Sequence, residues 1–241
     1  MGLDGKRILV TGAGKGIGEA TARLLASRGA NVVALSRSQD GLDRLSAETG
    51  CETIACDLAQ LDDIQKCVQD ALPLDGLVNN AGTTALEPFL ETSIASFDHL
   101  MTVNTKAAMV IAQVAARDMI ERSVAGSIVN VSSVAASIGI VDHTSYCASK
   151  AALDALTRVM AIELGVHGIR VNSVNPAVTL TPMAVKAWSD PAKADPVKNR
   201  IAMGRFIEPP EVADVIAYLL DDGASMVTGH SLAVDGGLLI T

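Results

Sequence analysis

Short apolar segments rich in β-branched residues recur along the whole chain. They lie at 7–12, 30–36, 52–57, 75–80, 126–133, 168–176 and 231–237. The segments between them have the apolar spacing of helices, at 16–28, 40–49, 60–71, 93–122, 144–165 and 209–221. Alternating strands and helices are typical of a parallel sheet that is covered on both faces. We therefore predict an α/β fold: a doubly wound, mostly parallel seven-stranded sheet with helices on both faces.

The domain organisation follows from what the pattern lacks. No Pro/Gly/Ser-rich linker divides residues 1–241, so we predict a single domain. Residues 177–208 break the alternation with three prolines, one tryptophan and clustered charges. A long connection of this kind in a tight α/β domain is often a lid or substrate loop, and the alternative is a tolerated surface insertion.

Composition and charge narrow the class of protein. The chain is 49% hydrophobic but only 2% aromatic, so small aliphatic residues must fill the core, as suits buried parallel strands. A net charge of -8 argues against a surface for nucleic acid or anionic membranes. Four cysteines without a Cys-x-x-Cys pair or a His cluster indicate no metal site and reduced thiols. We expect a cytoplasmic protein with no signal peptide and no membrane span.

A glycine-rich turn, TGAGKGIG, follows the first predicted strand and leads directly into a helix. Gly12, Gly16 and Gly18 fit the pattern T-G-x-x-x-G-x-G. Glycines let the backbone turn tightly and approach a pyrophosphate, and a helix N-terminus offers free N–H groups to an anion. The turn therefore predicts a dinucleotide cofactor.

The end of the second strand bears on which cofactor is bound. An acidic residue there would bind the ribose hydroxyls and repel a 2′-phosphate, but the strand ends in Ser36-Arg37, with no acid until Asp40. Lys15 adds a second cation in the glycine turn. Because Ser36 and Arg37 can both bind phosphate, we predict NADP(H) rather than NAD(H). The alternative is that Lys15 and Arg37 are ordinary solvated charges.

Polar residues end the third and fourth predicted strands as well. Asp57 is placed to meet the adenine edge, and Asn80, Ala81 and Gly82 could line the cofactor channel. Asn and Asp also favour strand ends for local hydrogen bonds, so a capping role is the alternative.

Four residues supply the groups that a carbonyl reduction needs. Tyr146 and Lys150 are four residues apart and share one face of a predicted helix. A nearby ammonium favours the phenolate and lowers the tyrosine pKa, so that the phenol can deliver a proton to the substrate oxygen. Ser133 can hold that oxygen by a hydrogen bond. Asn104 lies on the predicted long helix that precedes them.

Together these motifs identify a family resemblance. TGAGKGIG, NNAG, Asn104, IVNVSS, YCASK, VNSVNP and VDGG occur in an order that resembles the short-chain dehydrogenases/reductases of the compact, single-domain kind. The resemblance implies a Rossmann fold and a catalytic tetrad of Asn104, Ser133, Tyr146 and Lys150. Lys150 would also bind the nicotinamide ribose, and Asn104 would hold a water of the proton relay. The resemblance further implies cofactor contacts at Ile17, Leu58, Tyr146, Pro176, Val178 and Thr181. Pro176-Ala177 departs from the usual Pro-Gly, while Val178 can still offer its backbone to the carboxamide.

A narrower resemblance rests on TGAGKGIG with Ser36-Arg37, DHTSYCASKAALDALTRVMAIELG, NPAVTLTPM and AWSDPAKA, which are similar to segments of the L-xylulose and dicarbonyl reductases within this family. That resemblance implies NADPH-dependent reduction of small ketoses or α-dicarbonyls, a homotetramer, and substrate contacts at Ser133, His143, Tyr146 and Trp188. His143 could donate to a sugar hydroxyl, or it could be an ordinary surface or core histidine. Trp188 could wall the pocket against water, or it could anchor the 177–208 segment to the core.

Other functions remain compatible with the same residues. A polyol or secondary-alcohol dehydrogenase would use the tetrad in the oxidative direction. A 3-oxoacyl-thioester reductase would need a basic rim for its acidic carrier, and this acidic chain shows little surplus Lys or Arg there. A non-catalytic NADP-binding sensor would be expected to have lost Tyr146 or Lys150.

Overall fold

The computed structural model describes residues 2–241, and within them seven strands form one sheet. The strands are β1 (Arg7–Thr11), β2 (Asn31–Ser36), β3 (Glu52–Ala55), β4 (Gly76–Asn79), β5 (Ser127–Val131), β6 (Arg170–Pro176) and β7 (Ser231–Val234). Their order is β3-β2-β1-β4-β5-β6-β7, and every neighbouring pair is parallel. The predicted sheet is confirmed, and it is parallel throughout.

Helices cover both faces of the sheet, as predicted. They are α1 (Gly16–Ser27), α2 (Gln39–Thr49), α3 (Leu61–Gln69), α4 (Ile94–Met101), α5 (Ala107–Glu121), α6 (Thr144–Gly165), α7 (Pro182–Ala187), α8 (Pro191–Lys198) and α9 (Pro209–Leu220). Alternate residues of β1 enter different cores: Ile8 and Val10 pack in one buried cluster and Leu9 in the other. This period of two is what a strand buried on both sides requires.

The strand order reverses between β1 and β4. From β1 the chain winds outward to β2 and β3, then returns to β4 on the other side of β1. At such a switch point the loops that follow neighbouring strands diverge and leave a crevice at the carboxyl ends of the strands. The loops that follow β1 and β4 hold the glycine turn and residues 80–82.

The prediction of one long helix over 93–122 is wrong. Helix α4 ends at Met101, a π-helical turn occupies Thr102–Lys106, and α5 then continues to Glu121. A π-turn places one extra residue in the turn and re-aims the side chains around it, and such turns are frequent at functional sites. Here the turn buries the side chain of Asn104.

The region 177–208 has regular structure that the sequence pattern did not predict. It contains α7 and α8, each with a proline in its first turn and capped by Thr181 and Asp190 respectively. Thr179 pairs with Ile207 in a parallel bridge, so the segment leaves the sheet and returns to the same place. The prediction of a substrate lid here stays a prediction.

Among the described helices, we find none with the length and apolar character needed to cross a membrane.

Candidate active site

The glycine turn after β1 is shaped by backbone crowding. Gly12 and Gly16 have φ values of 66° and 61°, in the left-handed region that favours glycine. A Cβ on Gly18 would lie 2.4 Å from the carbonyl oxygen of Gly12. The chain therefore reverses tightly and enters α1 with its first N–H groups near the switch point, which fits a bound pyrophosphate.

The same turn touches the end of β2. A Cβ on Gly14 would lie 2.9 Å from Ser36 Oγ, and one on Gly41 would lie 2.5 Å from the carbonyl oxygen of Gly14. Lys15 and Arg37 are exposed beside this contact, and neither forms an ion pair within residues 2–241. The predicted phosphate-binding residues are thus brought together. Gly14 and Gly41 were missed, although a glycine inside α2 is a signal of close backbone approach.

Residues 80–82 brace the glycine turn from β4. The Asn80 side chain donates to the carbonyl oxygen of Thr11 at 2.8 Å. The Thr11 hydroxyl accepts from the backbone N–H groups of Asn80 and Ala81, at 3.0 Å each. Asn80 and Ala81 therefore lie at the crevice, held there by Thr11, a motif residue whose bracing role was not predicted, and their contact with a cofactor stays a prediction. The neighbouring Asn79 instead points into the core, where it donates to Asn130.

Asp57 and Leu58 follow β3, which ends two residues earlier than predicted. The Asp57 carboxylate accepts the backbone N–H of Ala59 at 3.1 Å, and Leu58 is buried. The alternative role, a cap at a strand end, is therefore present in the structure. One carboxylate can accept several hydrogen bonds, so the predicted adenine contact is compatible with it.

Ser133, Tyr146 and Lys150 converge beyond the carboxyl end of β5. Ser133 caps a short 3₁₀ turn, Val134–Ala136, directly after the strand. Tyr146 and Lys150 project from the first two turns of α6, with Lys150 Nζ 5.8 Å from the centroid of the Tyr146 ring. The Lys150 ammonium donates to the carbonyl oxygen of Val131 at 2.8 Å.

Burial dominates the electrostatics of the two titratable residues. It lowers the pKa of Lys150 to about 8, a shift that the negative charge of Asp154 opposes. Burial also raises the pKa of Tyr146, which interaction with the Ser133 hydroxyl opposes. The phenol is therefore held protonated at neutral pH, the form required to donate a proton. The pKa of Tyr146 is thus raised, not lowered as predicted, and burial is the largest cause.

Asn104, in the π-turn, forms hydrogen bonds with the loop after β4 and with helix α6. Its side chain accepts from the backbone N–H of Thr83 at 2.8 Å and donates to Ser149 Oγ at 2.9 Å. A Cβ on Gly82 would lie 3.3 Å from Asn104 Oδ1 and 3.4 Å from Lys150 Nζ. Asn104 is therefore in the site, where it fixes the loop after β4. Thr83 and Ser149 were not predicted.

The end of β6 and the residues that follow it lie next to the glycine turn and to Ser133. A Cβ on Gly16 would lie 2.9 Å from the Thr181 methyl group, and Ser133 Oγ donates to the carbonyl oxygen of Pro176 at 3.5 Å. Val178 is half-buried and packs against the core. Thr181 thus lies against the glycine turn and Pro176 against Ser133, and the half-buried Ile17 lies in α1, which the turn enters.

His143 and Trp188 differ in how they are held. The His143 ring is 6.0 Å from the Tyr146 ring, edge to face, and its Nδ1 lies 2.6 Å from the carbonyl oxygen of Val141. Trp188 packs on Phe206 at 5.4 Å, so the loop-anchoring alternative is present. In the part of the chain that the structure describes, His, Cys, Asp and Glu side chains form no metal-binding group of three.

A dinucleotide crevice beside a Ser-Tyr-Lys cluster on one parallel sheet defines a class of oxidoreductase. The family model described as enoyl-(acyl carrier protein) reductase matches residues 12–239. The chain belongs to the short-chain dehydrogenase/reductase family, whose members use NAD(P), and it is an oxidoreductase of the CH–OH class.

Particular relatives agree over the whole length. L-xylulose reductase of Bos taurus is 49% identical over 99% of this chain and 98% of its own. Carbonyl reductase [NADPH] 2 of Sus scrofa is 43% identical over 99% of this chain and 98% of its own. A solved protein of Beutenbergia cavernae, named as an NAD(P)-dependent gluconate 5-dehydrogenase with bound NADP, is 34% identical over 100% of this chain and 99% of its own, with a TM-score of 0.96.

Replacing Lys150 tests its buried charge without any substrate. Its pKa falls from an ordinary 10.5 to about 8 on folding, so the unfolded chain binds the proton more tightly between these values. The wild type should therefore gain on the order of 2 kcal/mol of unfolding free energy relative to Lys150→Met between about pH 7 and pH 10. Urea unfolding of both proteins across this range measures the difference.

The matched control is Lys106→Met, which removes an exposed lysine. Its unfolding free energy should follow the wild type at every pH. Parallel curves for the wild type and Lys150→Met would show that the Lys150 ammonium is not destabilised by burial.

Proposed function

We propose that the protein is an NADPH-dependent carbonyl reductase that acts on a small ketose or α-dicarbonyl. The observation that carries the proposal is the convergence of Ser133, Tyr146 and Lys150 at the carboxyl edge of the sheet, beside the glycine turn. Relatives named for L-xylulose and for NADPH-dependent carbonyl reduction, aligned from end to end, support this substrate class.

Each residue has a distinct part in this reaction. When bound, NADPH supplies the hydride that reduces the carbonyl carbon. Ser133 donates a hydrogen bond to the carbonyl oxygen, and Tyr146 delivers a proton to it as negative charge develops. Lys150 holds the nicotinamide ribose and favours the phenolate that Tyr146 becomes. Asn104 fixes the loop at Thr83 and holds a water of the proton relay.

The remaining cofactor contacts follow the crevice. Gly12, Gly16, Ile17 and Gly18 would cradle the pyrophosphate, and Lys15, Ser36 and Arg37 the 2′-phosphate. Asp57 and Leu58 would flank the adenine. Further contacts would come from Asn80, Ala81, Gly82, Pro176, Val178 and Thr181. The glycines of the turn support this arrangement, because a side chain at Gly12 or Gly18 would meet Asn80 and force the turn away from the crevice.

The substrate side supports a hydroxylated ketone. A carbonyl oxygen can only accept, so the contact between His143 Nδ1 and Val141 places the ring proton on Nδ1. In the neutral ring, Nε2 is then left as an acceptor for a substrate hydroxyl, which corrects the predicted role of His143 as a donor to that hydroxyl. Trp188, within the proposed lid segment 177–208, would form an apolar wall of the substrate pocket. The packing of Trp188 on Phe206 would hold this wall in place.

Oxidation of NADPH by small ketones is the first test. Absorbance at the nicotinamide band should fall rapidly with L-xylulose and with diacetyl. It should fall much more slowly with a large aromatic ketone or an acetoacetyl thioester, because the lid segment closes a small polar site.

Tyr146→Phe keeps the ring and removes the proton donor, so kcat should fall by about 10²–10⁴-fold. Its affinity for NADPH should be retained. Tight NADPH binding by the wild type without turnover of any of the four carbonyls would overturn the reductase proposal. It would favour an oxidative polyol dehydrogenase or a sensor instead.

Cofactor preference gives a second test. Arg37→Ala removes a charged hydrogen bond to the 2′-phosphate, typically worth about 1.5–3 kcal/mol, so KM for NADPH should rise about tenfold or more. KM for NADH, which has no 2′-phosphate, should stay the same. Lys66→Ala, an exposed cation on α3, is the control and should change neither value. An equal effect on both cofactors would contradict the assignment of Arg37.

We also propose a homotetramer that works in the cytoplasm. Helix α6 exposes Val159 and Ile162, a stripe that its C-cap Val166 extends, and Met226 and Ile240 are exposed in the segments before and after the edge strand β7. A tetramer with two kinds of two-fold interface needs two such faces, one for each axis. The four free cysteines fit a reducing compartment.

Light scattering coupled to size exclusion tests the assembly. The wild type should have the mass of four chains, and Ile162→Glu should halve it, because a buried unpaired charge breaks one interface and spares the other. Gln69→Glu adds the same charge on exposed α3 and should leave four chains. A monomeric wild type, or a tetrameric Ile162→Glu, would contradict the proposed interface.

A further inference from the structure

Asp154 is a buried carboxylate beside the active site that the reaction as described does not use. Only 5% of its surface is exposed. It follows Lys150 by four residues and Tyr146 by eight, so all three lie on one face of α6.

A chain of hydrogen bonds joins Asp154 to the backbone of Ser133. Its Oδ2 accepts from Asn175 Nδ2 at 2.7 Å, and the same amide group donates to the carbonyl oxygen of Ser133 at 3.1 Å. Its Oδ1 lies 2.9 Å from Ser173 Oγ, whose single proton is shared with Asn175 Oδ1 and Ser231 Oγ, each at 3.0 Å. An amide nitrogen has two protons, so Asn175 can make both of its bonds at once.

The carboxylate also acts on Lys150. Its negative charge raises the pKa of the Lys150 ammonium against the lowering that burial causes. Tyr146 is the titratable neighbour on the same helix. From the loop after β4, the π-turn and β5, the described groups facing Lys150 are neutral: Gly82, Asn104 and the Val131 carbonyl. Among the described residues, Asp154 is the carboxylate acting on this ammonium.

A purely structural role would not require the charge. Burying a carboxylate is costly unless it is paired, and a neutral acceptor could satisfy the Ser173 hydroxyl alone. The Asp154 carboxylate accepts from Ser173 and Asn175 of β6 and lies one helical turn from the Lys150 ammonium. These hydrogen bonds and this positive charge together offset the cost of burying the carboxylate. The charge of Asp154 acts on Lys150 of α6, and its hydrogen bond through Asn175 reaches Ser133 at the end of β5.

We propose that Asp154 is a positioning residue that keeps Lys150 charged and, through Asn175, holds Ser133 in place. The proposal rests on the proposed reductase function for its kinetic consequences. Its effect on Lys150 can be measured without any substrate.

Asp154→Asn is the central variant, because it keeps the shape and removes the charge. The new side chain can accept from Asn175 through its oxygen and donate to the Ser173 hydroxyl through its nitrogen, so the charge is what the variant removes. We expect kcat for the ketone to fall about tenfold or more and the alkaline limb of the pH profile to move about one unit lower. KM for NADPH should change less than about twofold, since Asp154 does not touch the cofactor turn.

Ser173→Ala is the matched control. It removes the other hydrogen bond to Asp154 and leaves the charge, so the alkaline limb should stay where it is in the wild type. Wild-type kcat and an unmoved limb in folded Asp154→Asn would overturn the proposal and leave Asp154 a structural residue.

Two further measurements keep the test independent of folding and of the reaction. NMR titration of ¹³C-labelled lysine side chains, with Lys150 assigned from Lys150→Met, should show a lower midpoint in Asp154→Asn even if no carbonyl is reduced. An unmoved midpoint would contradict the proposal. If Asp154→Asn does not fold, Asn175→Ala should lower kcat without moving the alkaline limb, and Ser173→Ala, which removes a contact to Asn175 but leaves its bond to Ser133, should lower kcat less. Equal effects of these two variants would also contradict it.

Discussion

The ammonium of Lys150 lies inside the protein, and the arrangement of the site follows from the need to stabilise it there. Burial favours the neutral amine, so every nearby group must favour the charged form or at least leave it room. The Val131 carbonyl at the end of β5 accepts from it, and the Asp154 carboxylate lies one turn away. Gly82 has no side chain that would occupy the same space. Strand β5, helix α6 and the loop after β4 thus each place a residue next to the Lys150 ammonium.

A second constraint acts on the backbone at the switch point. A pyrophosphate can be reached by backbone N–H groups only where side chains are absent, and the contacts of Gly14 with Ser36 and Gly41 show how closely the segments approach. Glycine loses more conformational freedom on folding than other residues, so this turn costs stability. The two aliphatic cores, one on each face of the sheet, offset this cost. The small side chains of the helices let the helices pack close to the strands.

Much of this architecture could be predicted because it depends on local periodicity. The seven strands, most helices and the shared face of Tyr146 and Lys150 follow from spacings of two and of three to four residues. The π-turn at Thr102–Lys106 has no such spacing, because it depends on the side chain of Asn104 meeting Thr83 and Ser149. The same holds for Asp154, whose partners Ser173 and Asn175 lie on another element. Helices α7 and α8 were hidden by prolines that start helices as readily as they end them.

Helix α6 shows why spacing along the sequence predicted the catalytic residues but not the residues that hold them in place. One face has Tyr146, Lys150 and Asp154, another packs on the sheet, and a third exposes Val159 and Ile162. A helix with three such faces has no single apolar side, so periodicity cannot tell which residues are buried. The face that holds a costly buried charge must be kept in place by the other two. In the proposed tetramer the exposed face would be buried as well, and assembly of the subunits would then stabilise the helix that aligns the catalytic residues.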